Sequence, residues 1–252
     1  MFEQINNDEI IFKFDEFATN LNKQLYVVGG AVRDELMGLK RCSKVKDFDL
    51  TGELNLKEVL QFIENNNLNY EIKNLKLEVV SFWLNDDVVY EYARMRSEEY
   101  RDINSHNPSN IWFVDSIEED VKRRDFSINS VYYVRHNTSV IDPLNAVNDI
   151  ANGIIKTVAS PNETLSVDPA RIFRFIELAS RLNFKVDDQT LMALKDNSHR
   201  VYSLSKNRIK KEMNRILEVN KYEGWLQQGY LSRVEFWFQA LGLDFQKMSK
   251  FV

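Results

Sequence analysis

The chain has one cysteine, Cys42, in 252 residues. A lone thiol cannot form an internal disulfide, and it excludes a cysteine-rich zinc site. A reducing compartment, by default the cytoplasm, is expected from that usage. The three histidines, His106, His136 and His199, are scattered, so no histidine metal cluster is expected. No apolar run reaches the ~18 residues of a membrane span. The opening Met1-Phe2-Glu3-Gln4 does not read as a signal peptide, and no membrane partner is expected. Gly-x-x-x-x-Gly-Lys-Ser/Thr and Gly-x-Gly-x-x-Gly are both missing, which counts against P-loop and Rossmann nucleotide sites.

What is present is a globular composition. Hydrophobic residues make up 44% and charged residues 28%, enough for a large core in one or two domains. The net charge of −5 is unevenly spread. Residues 1–120 carry 13 Lys and Arg against 24 Asp and Glu, whereas residues 121–218 carry 16 against 11. A basic stretch of this kind fits a polyanion partner and equally an ordinary solvated surface.

Hydrophobic spacing predicts an opening helix over 8–22, a buried strand at Leu25–Val28 and a helix from the Gly29-Gly30 turn to Met37, closed by Gly38. A basic loop (39–46), a strand (47–51) and a helix (55–66) follow. Leu77–Leu84 and Val88–Met95, joined by Asn85-Asp86-Asp87, read as a hairpin. Residues 97–116 read as a mobile loop. One helix is expected over about 117–133, then a short strand pair near 139–141 and 154–158. Helices are expected at 168–182, 188–197, 205–219, 221–229 and 232–241. The fold class is α+β: a mixed head over 1–150, a helical neck over 151–220 and a short helical body over 221–252.

The chemistry starts from Asp47-Phe48-Asp49-Leu50. On a strand, residues two apart share a face, so Asp47 and Asp49 point one way while Phe48 and Leu50 pack the other. Neighbouring carboxylates repel unless a cation lies between them, and hard oxygen ligands suit Mg²⁺. Glu91, in Val89-Tyr90-Glu91-Tyr92, is a third candidate acid on another strand. Gly29 and Gly30 let backbone N–H groups approach a phosphate, with Arg33 as a charge partner. Together these suggest a two-metal site that moves a nucleotidyl group. By itself, an acid-x-acid pair is more often a solvated turn.

Two later segments add to this. Asp120-Val121-Lys122-Arg123-Arg124-Asp125-Phe126-Ser127-Ile128-Asn129, read as helix, puts Asp125 and Asn129 on one face, with no role assigned to Asp120. Its arginines suit phosphate and ribose oxygens, or else a salt-bridged surface. Asp168-Pro169-Ala170-Arg171-Ile172-Phe173-Arg174 reads as a helix start with Asp168 as N-cap. An Asp–Arg pair there would also match the amine-plus-acceptor edge shared by cytosine and adenine.

This ordered set resembles the class II tRNA nucleotidyltransferase (CCA-adding) and bacterial poly(A) polymerase family, within the polymerase-β-like nucleotidyltransferases. The likeness runs from about Tyr26 to Leu217 and includes Arg208-Ile209 and Glu212 on a later neck helix. It implies Mg²⁺ on Asp47 and Asp49, with Glu91 as third acid. It places Arg124, Asp125 and Asn129 at the triphosphate and ribose, and Asp168 and Arg171 at the base with Arg174 in support. The implied reaction adds C and A to a tRNA 3′ end from CTP and ATP. Poly(A) synthesis, CC-only or A-only addition, and an inactive RNA-binding module are the alternatives. Ile155-Lys156-Thr157-Val158 looks closer to the CCA type. The chain departs from the family pattern at Val167, at Glu177 and at Asp142-Pro143-Leu144-Asn145-Ala146, where two glycines are replaced and a stiffer turn is expected. It also stops at Val252, where relatives continue; either a cut form or another grip on tRNA is expected. Trp225, Phe236, Trp237 and Phe238 then read as body core or as a patch for self-association.

Overall fold

A computed structural model describes residues 2–39, 46–85, 87–101, 108–217 and 228–252. The chain divides into two compact units: residues 1–98 with 111–150, and residues 99–110 with 151–252. No described helix is long and apolar enough to cross a membrane.

The first unit opens with α1 (Glu3–Asn6), α2 (Glu9–Asn20), β1 (Leu25–Val28), α3 (Gly30–Leu36), β2 (Lys46–Gly52) and α4 (Leu56–Asn65). There follow β3 (Asn69–Asn74), β4 (Val79–Trp83), β5 (Val88–Arg94), the ribbon β6 (Arg96–Glu99) and β7 (Asn110–Phe113), then α5 (Ile117–Asp120), β8 (Tyr132–Val134), β9 (Ser139–Ile141) and α6 (Ala146–Asn152). Seven strands form one sheet in the order β3-β4-β5-β2-β1-β8-β9. β2 and β5 run parallel at its centre. The alternation read from the sequence holds there. Phe48 and Leu50 are buried while Asp47 and Asp49 are exposed, and Tyr90 and Tyr92 are buried around exposed Glu91. The buried face packs on α2 and α4 through aromatic rings. Phe14 stacks on Phe62 at 4.3 Å and meets Phe82 and Tyr92 edge-on at 5.7 Å. The helices are capped by their own sequence: Asp8 accepts from Ile10 and Ile11 N–H, and Asn55 with Glu58 forms a reciprocal capping box.

The second unit holds β10 (Ile154–Ile155), α7 (Pro161–Val167), α8 (Ala170–Leu182), β11 (Lys185–Val186), α9 (Asp188–Asn197), α10 (Lys206–Leu217), α11 (Tyr230–Ala240) and α12 (Phe245–Ser249). α8 is its core, with Ile172, Phe173, Phe175 and Ile176 fully buried. Trp237 meets Phe175 at 4.9 Å and Phe238 lies 6.2 Å from Phe173; Phe238 is core, Trp237 is half-buried at its edge and Phe236 is exposed. Trp225 and most of the helix expected at 221–229 lie outside the described residues, as do 40–45 of the basic loop.

Several expectations fail. The helix over 117–133 is not continuous. After α5 the chain makes a 3₁₀ turn (Val121–Arg123), leaves helical geometry at Arg124 (φ −74°, ψ 173°) and makes another 3₁₀ turn at Ser127–Asn129. The Asp125 carboxylate accepts from Phe126 N–H at 2.7 Å, a local bond that competes with the helix ladder. Asp125 and Asn129 therefore do not share a helix face. Residues 139–141 and 154–158 do not pair with each other: β9 pairs with β8, and β10 runs parallel to β11. Part of the expected mobile loop over 97–116 is the β6–β7 ribbon. The turn at Asp142–Ala146 is made without glycine. Asn145 takes φ 55°, a conformation Asn tolerates better than most residues. Asp142 there accepts from Ala146 and Val147 N–H at 2.7 and 2.8 Å.

Candidate active site

The acids of the sheet sit in register. In the parallel pair β2–β5, Asp49 lies directly across from Glu91 and Asp47 from Val89. Cross-strand partners share a face, so Asp47, Asp49 and Glu91 stand together on the exposed side of the sheet. Ser81, across from Glu91 on β4, sends its hydroxyl toward the Glu91 carboxylate at a long 3.5 Å. On the other flank, Val28 pairs with Asp49, and the next residue is Gly29. Its φ of 80° favours glycine. A Cβ at residue 29 would collide with the Asp49 carboxylate oxygen and lie 3.2 Å from its Cγ. The strand-to-helix turn thus needs glycine for its dihedral and for the space Asp49 occupies. Gly30 begins α3.

Among the described residues, no three Asp, Glu, His or Cys side chains form a ready-made metal cage. Magnesium does not require such a cage, since it is bound through one or two carboxylates and substrate phosphates. Asp47 and Asp49, hard donors on an open face, fit that mode of binding.

Arg33 is 1% exposed. Its guanidinium donates to Asp34 at 2.6 and 3.0 Å and also to the Asn129 side-chain oxygen. The structure therefore joins two of the sequence-predicted residues, Arg33 and Asn129, to each other.

Arg124 is held by a residue that sequence reasoning missed. Its Nη2 and Nε donate to Asp120 at 2.8 and 3.1 Å, and Nε also reaches the Tyr132 hydroxyl at 2.8 Å. Asp120 is 0% exposed and accepts further from Arg123, from Tyr132 and from Arg96 N–H. Burial alone would raise the Asp120 pKa, but Arg124 and Arg123 outweigh it and hold the carboxyl well below its ordinary value. The signal was present: Asp120 precedes Arg123 by three residues and Arg124 by four, both ion-pair spacings.

In the second unit the N-cap of α8 is Pro169; Asp168, expected to cap it, sits one residue earlier, where its carboxylate accepts from Ala170 N–H at 3.1 Å. Its other oxygen accepts from Arg174 at 3.1 Å, and the Arg208 guanidinium lies 3.9 Å away. Burial would raise the Asp168 pKa; Arg174, Arg171 and Arg208 together lower it. Arg171, 5% exposed, donates to the Thr164 carbonyl at 3.2 Å. Arg208 is fixed by Glu212 at 3.0 Å.

Known proteins share this plan. Residues 25–156 match the family described as Poly A polymerase head domain, and residues 183–228 match that described as Probable RNA and SrmB-binding site of polymerase A. The CCA-adding enzyme of Ligilactobacillus salivarius is 33% identical over 195 residues, covering 77% of this chain and 45% of that one. That of Staphylococcus epidermidis is 33% identical over 202 residues, covering 80% and 48%. The chain spans about half the length of these curated relatives. In fold it is similar to the Bacillus stearothermophilus CCA-adding enzyme in complex with CTP, with a TM-score of 0.71 at 23% identity over 94% of this chain and 54% of that one. A tRNA nucleotidyltransferase complexed with a primer tRNA and an incoming ATP analog gives 0.67 at 22% identity over 90% and 61%. Since the head-domain match alone runs over more than half the sequence, the chain belongs to the family of class II tRNA nucleotidyltransferases and bacterial poly(A) polymerases.

Proposed function

We propose that the chain is a metal-dependent, template-independent nucleotidyltransferase that adds C and A to tRNA 3′ ends from CTP and ATP. The observation that supports this most is the register of Asp49 with Glu91 on an open sheet face, with Asp47 two residues before and a Cβ-free Gly29 beside it. When bound to Asp47 and Asp49, a divalent cation supplies charge neutralisation at the triphosphate and activation of the attacking 3′-hydroxyl.

The other residues bind and orient. Gly29 and Gly30 leave the backbone accessible to phosphate oxygens. Arg124, Asp125 and Asn129 meet triphosphate and ribose. Arg33, being buried, acts by holding Asn129. Asp168 and Arg171 read the base edge, with Arg174 and Arg208 keeping Asp168 ionised and in place; an ionised carboxylate accepts from the exocyclic amine of cytosine or adenine. Residues 1–150 carry the transfer, residues 151–220 the base and RNA contacts, and residues 221–252 form a short helical body.

Incubation with tRNA lacking its terminal CCA, Mg²⁺ and labelled CTP or ATP tests this. Incorporation that stops after three residues is the expected result. Long A tails would mean poly(A) synthesis, and C without A, or A alone, a partial enzyme. RNA binding with no incorporation of any nucleotide would overturn the enzymatic reading.

A further inference from the structure

α10 buries one stripe, Ile209, Glu212, Met213 and Ile216. The rest of its surface lacks acids. At 100° per residue, Lys206, Lys210, Lys211 and Arg215 spread over the outward half-turn, with Asn207 and Asn214 between them. All four cations are exposed. Among the described residues none of the four has an ion-pair partner, whereas Arg208, on the inward edge, is held by Glu212. Some lysines elsewhere on the surface do meet acids, as in Lys13–Glu9 and Lys23–Glu58.

This arrangement costs the isolated helix stability. Lys206 with Lys210 and Lys211 with Arg215 are like-charge pairs at i,i+4, which destabilise a helix. Lys206 also opens the helix, at the positive end of its dipole. A face that repels itself in this way is relieved by an external polyanion. The four cations extend along about 14 Å of helix, the reach of several consecutive phosphates on one strand.

We propose that the outward face of α10 docks the phosphate backbone of the RNA substrate. This rests on the tRNA-extension reading and names the surface that would grip the RNA; it lies within the stretch matching the probable RNA-binding family. The contact is electrostatic and sequence-independent, separate in kind from base selection around Asp168.

The test compares wild type with K206Q/K210Q/K211Q/R215Q and with the charge-preserving K206R/K210R/K211R, using tRNA lacking CCA across a salt series. Glutamine keeps helix propensity, and circular dichroism checks that the variant is folded. The expected result is tRNA binding weakened about tenfold or more near 0.1 M salt. The slope of log affinity against log salt should fall by about 3–4. KM for tRNA should rise, with kcat at saturating tRNA and KM for CTP held, and the arginine variant should behave as wild type. A folded glutamine variant with unchanged affinity and slope would overturn the docking proposal while leaving the extension reading intact. A wild-type protein that neither binds nor extends tRNA would overturn both.

Discussion

The exposed sheet face and the buried ion-pair centres treat acidic side chains in opposite ways. Asp47, Asp49 and Glu91 sit on an open face, held in register by backbone pairing. Asp120 is fully buried and Asp168 half-buried, each ringed by arginines that keep it ionised. A charge removed from water must be neutralised in place, so a buried acid carries its partners in the fold. Carboxylates grouped on an open face can take their compensating charge from a ligand. On the proposed reading, the difference separates residues that shape the molecule from residues that act on a ligand.

The comparison can be broken most severely at Asp120. Asp120→Ala leaves Arg123 and Arg124 without their shared acceptor and should cost about 3–5 kcal/mol, read from denaturant unfolding. Because its folded pKa lies below the unfolded value, the folded state binds that proton less readily. The contribution of Asp120 is complete above about pH 4 and drains away as pH falls toward the folded pKa. Stability of Asp120→Ala should therefore respond less to acid below pH 4 than wild type does; parallel profiles would contradict the pairing.

Arg171→Ala sharpens the comparison in the second unit. Loss of one base-edge donor should lower the preference for CTP and ATP over UTP by about tenfold or more, an effect of about 1–3 kcal/mol, with weaker influence on triphosphate affinity. Unchanged discrimination against UTP would remove Arg171 from base reading. Gly29→Ala is the mildest in stability, about 1–3 kcal/mol from a backbone conformation (φ 80°, ψ −148°) that is nearly reserved for glycine. Its added methyl displaces Asp49, so activity should fall further than stability does. Full activity in a destabilised Gly29→Ala would show that Asp49 can move without consequence.

Much of this was legible in the sequence because period-two alternation and glycine punctuation are local signals. β1, β2, the β4–β5 hairpin, α4 and α9 follow the pattern that names them, and Asp47, Asp49 and Glu91 share a face by the same alternation. The failures have physical causes. β3 is exposed along its whole length, so no buried stripe marks it. Tyr132, Tyr133 and Val134 are all buried, and a contiguous apolar run of three residues cannot be told from the end of a helix. Nothing local shows that Asp120 is buried; the contacts that enclose it, Tyr132 and Arg96 N–H, come from 12 and 24 residues away. The Arg33–Asn129 bond joins residues 96 apart, beyond any local rule.

The most direct test of the acidic face is labelled CTP incorporation into tRNA lacking CCA, with Mg²⁺, by wild type, Asp47→Ala and Asp49→Ala, each checked for an unchanged fold. Loss of about a thousandfold or more in each variant is expected, the equivalent of roughly 4 kcal/mol of transition-state stabilisation. Wild-type incorporation by either folded variant would contradict the assignment of metal-assisted transfer to Asp47 and Asp49.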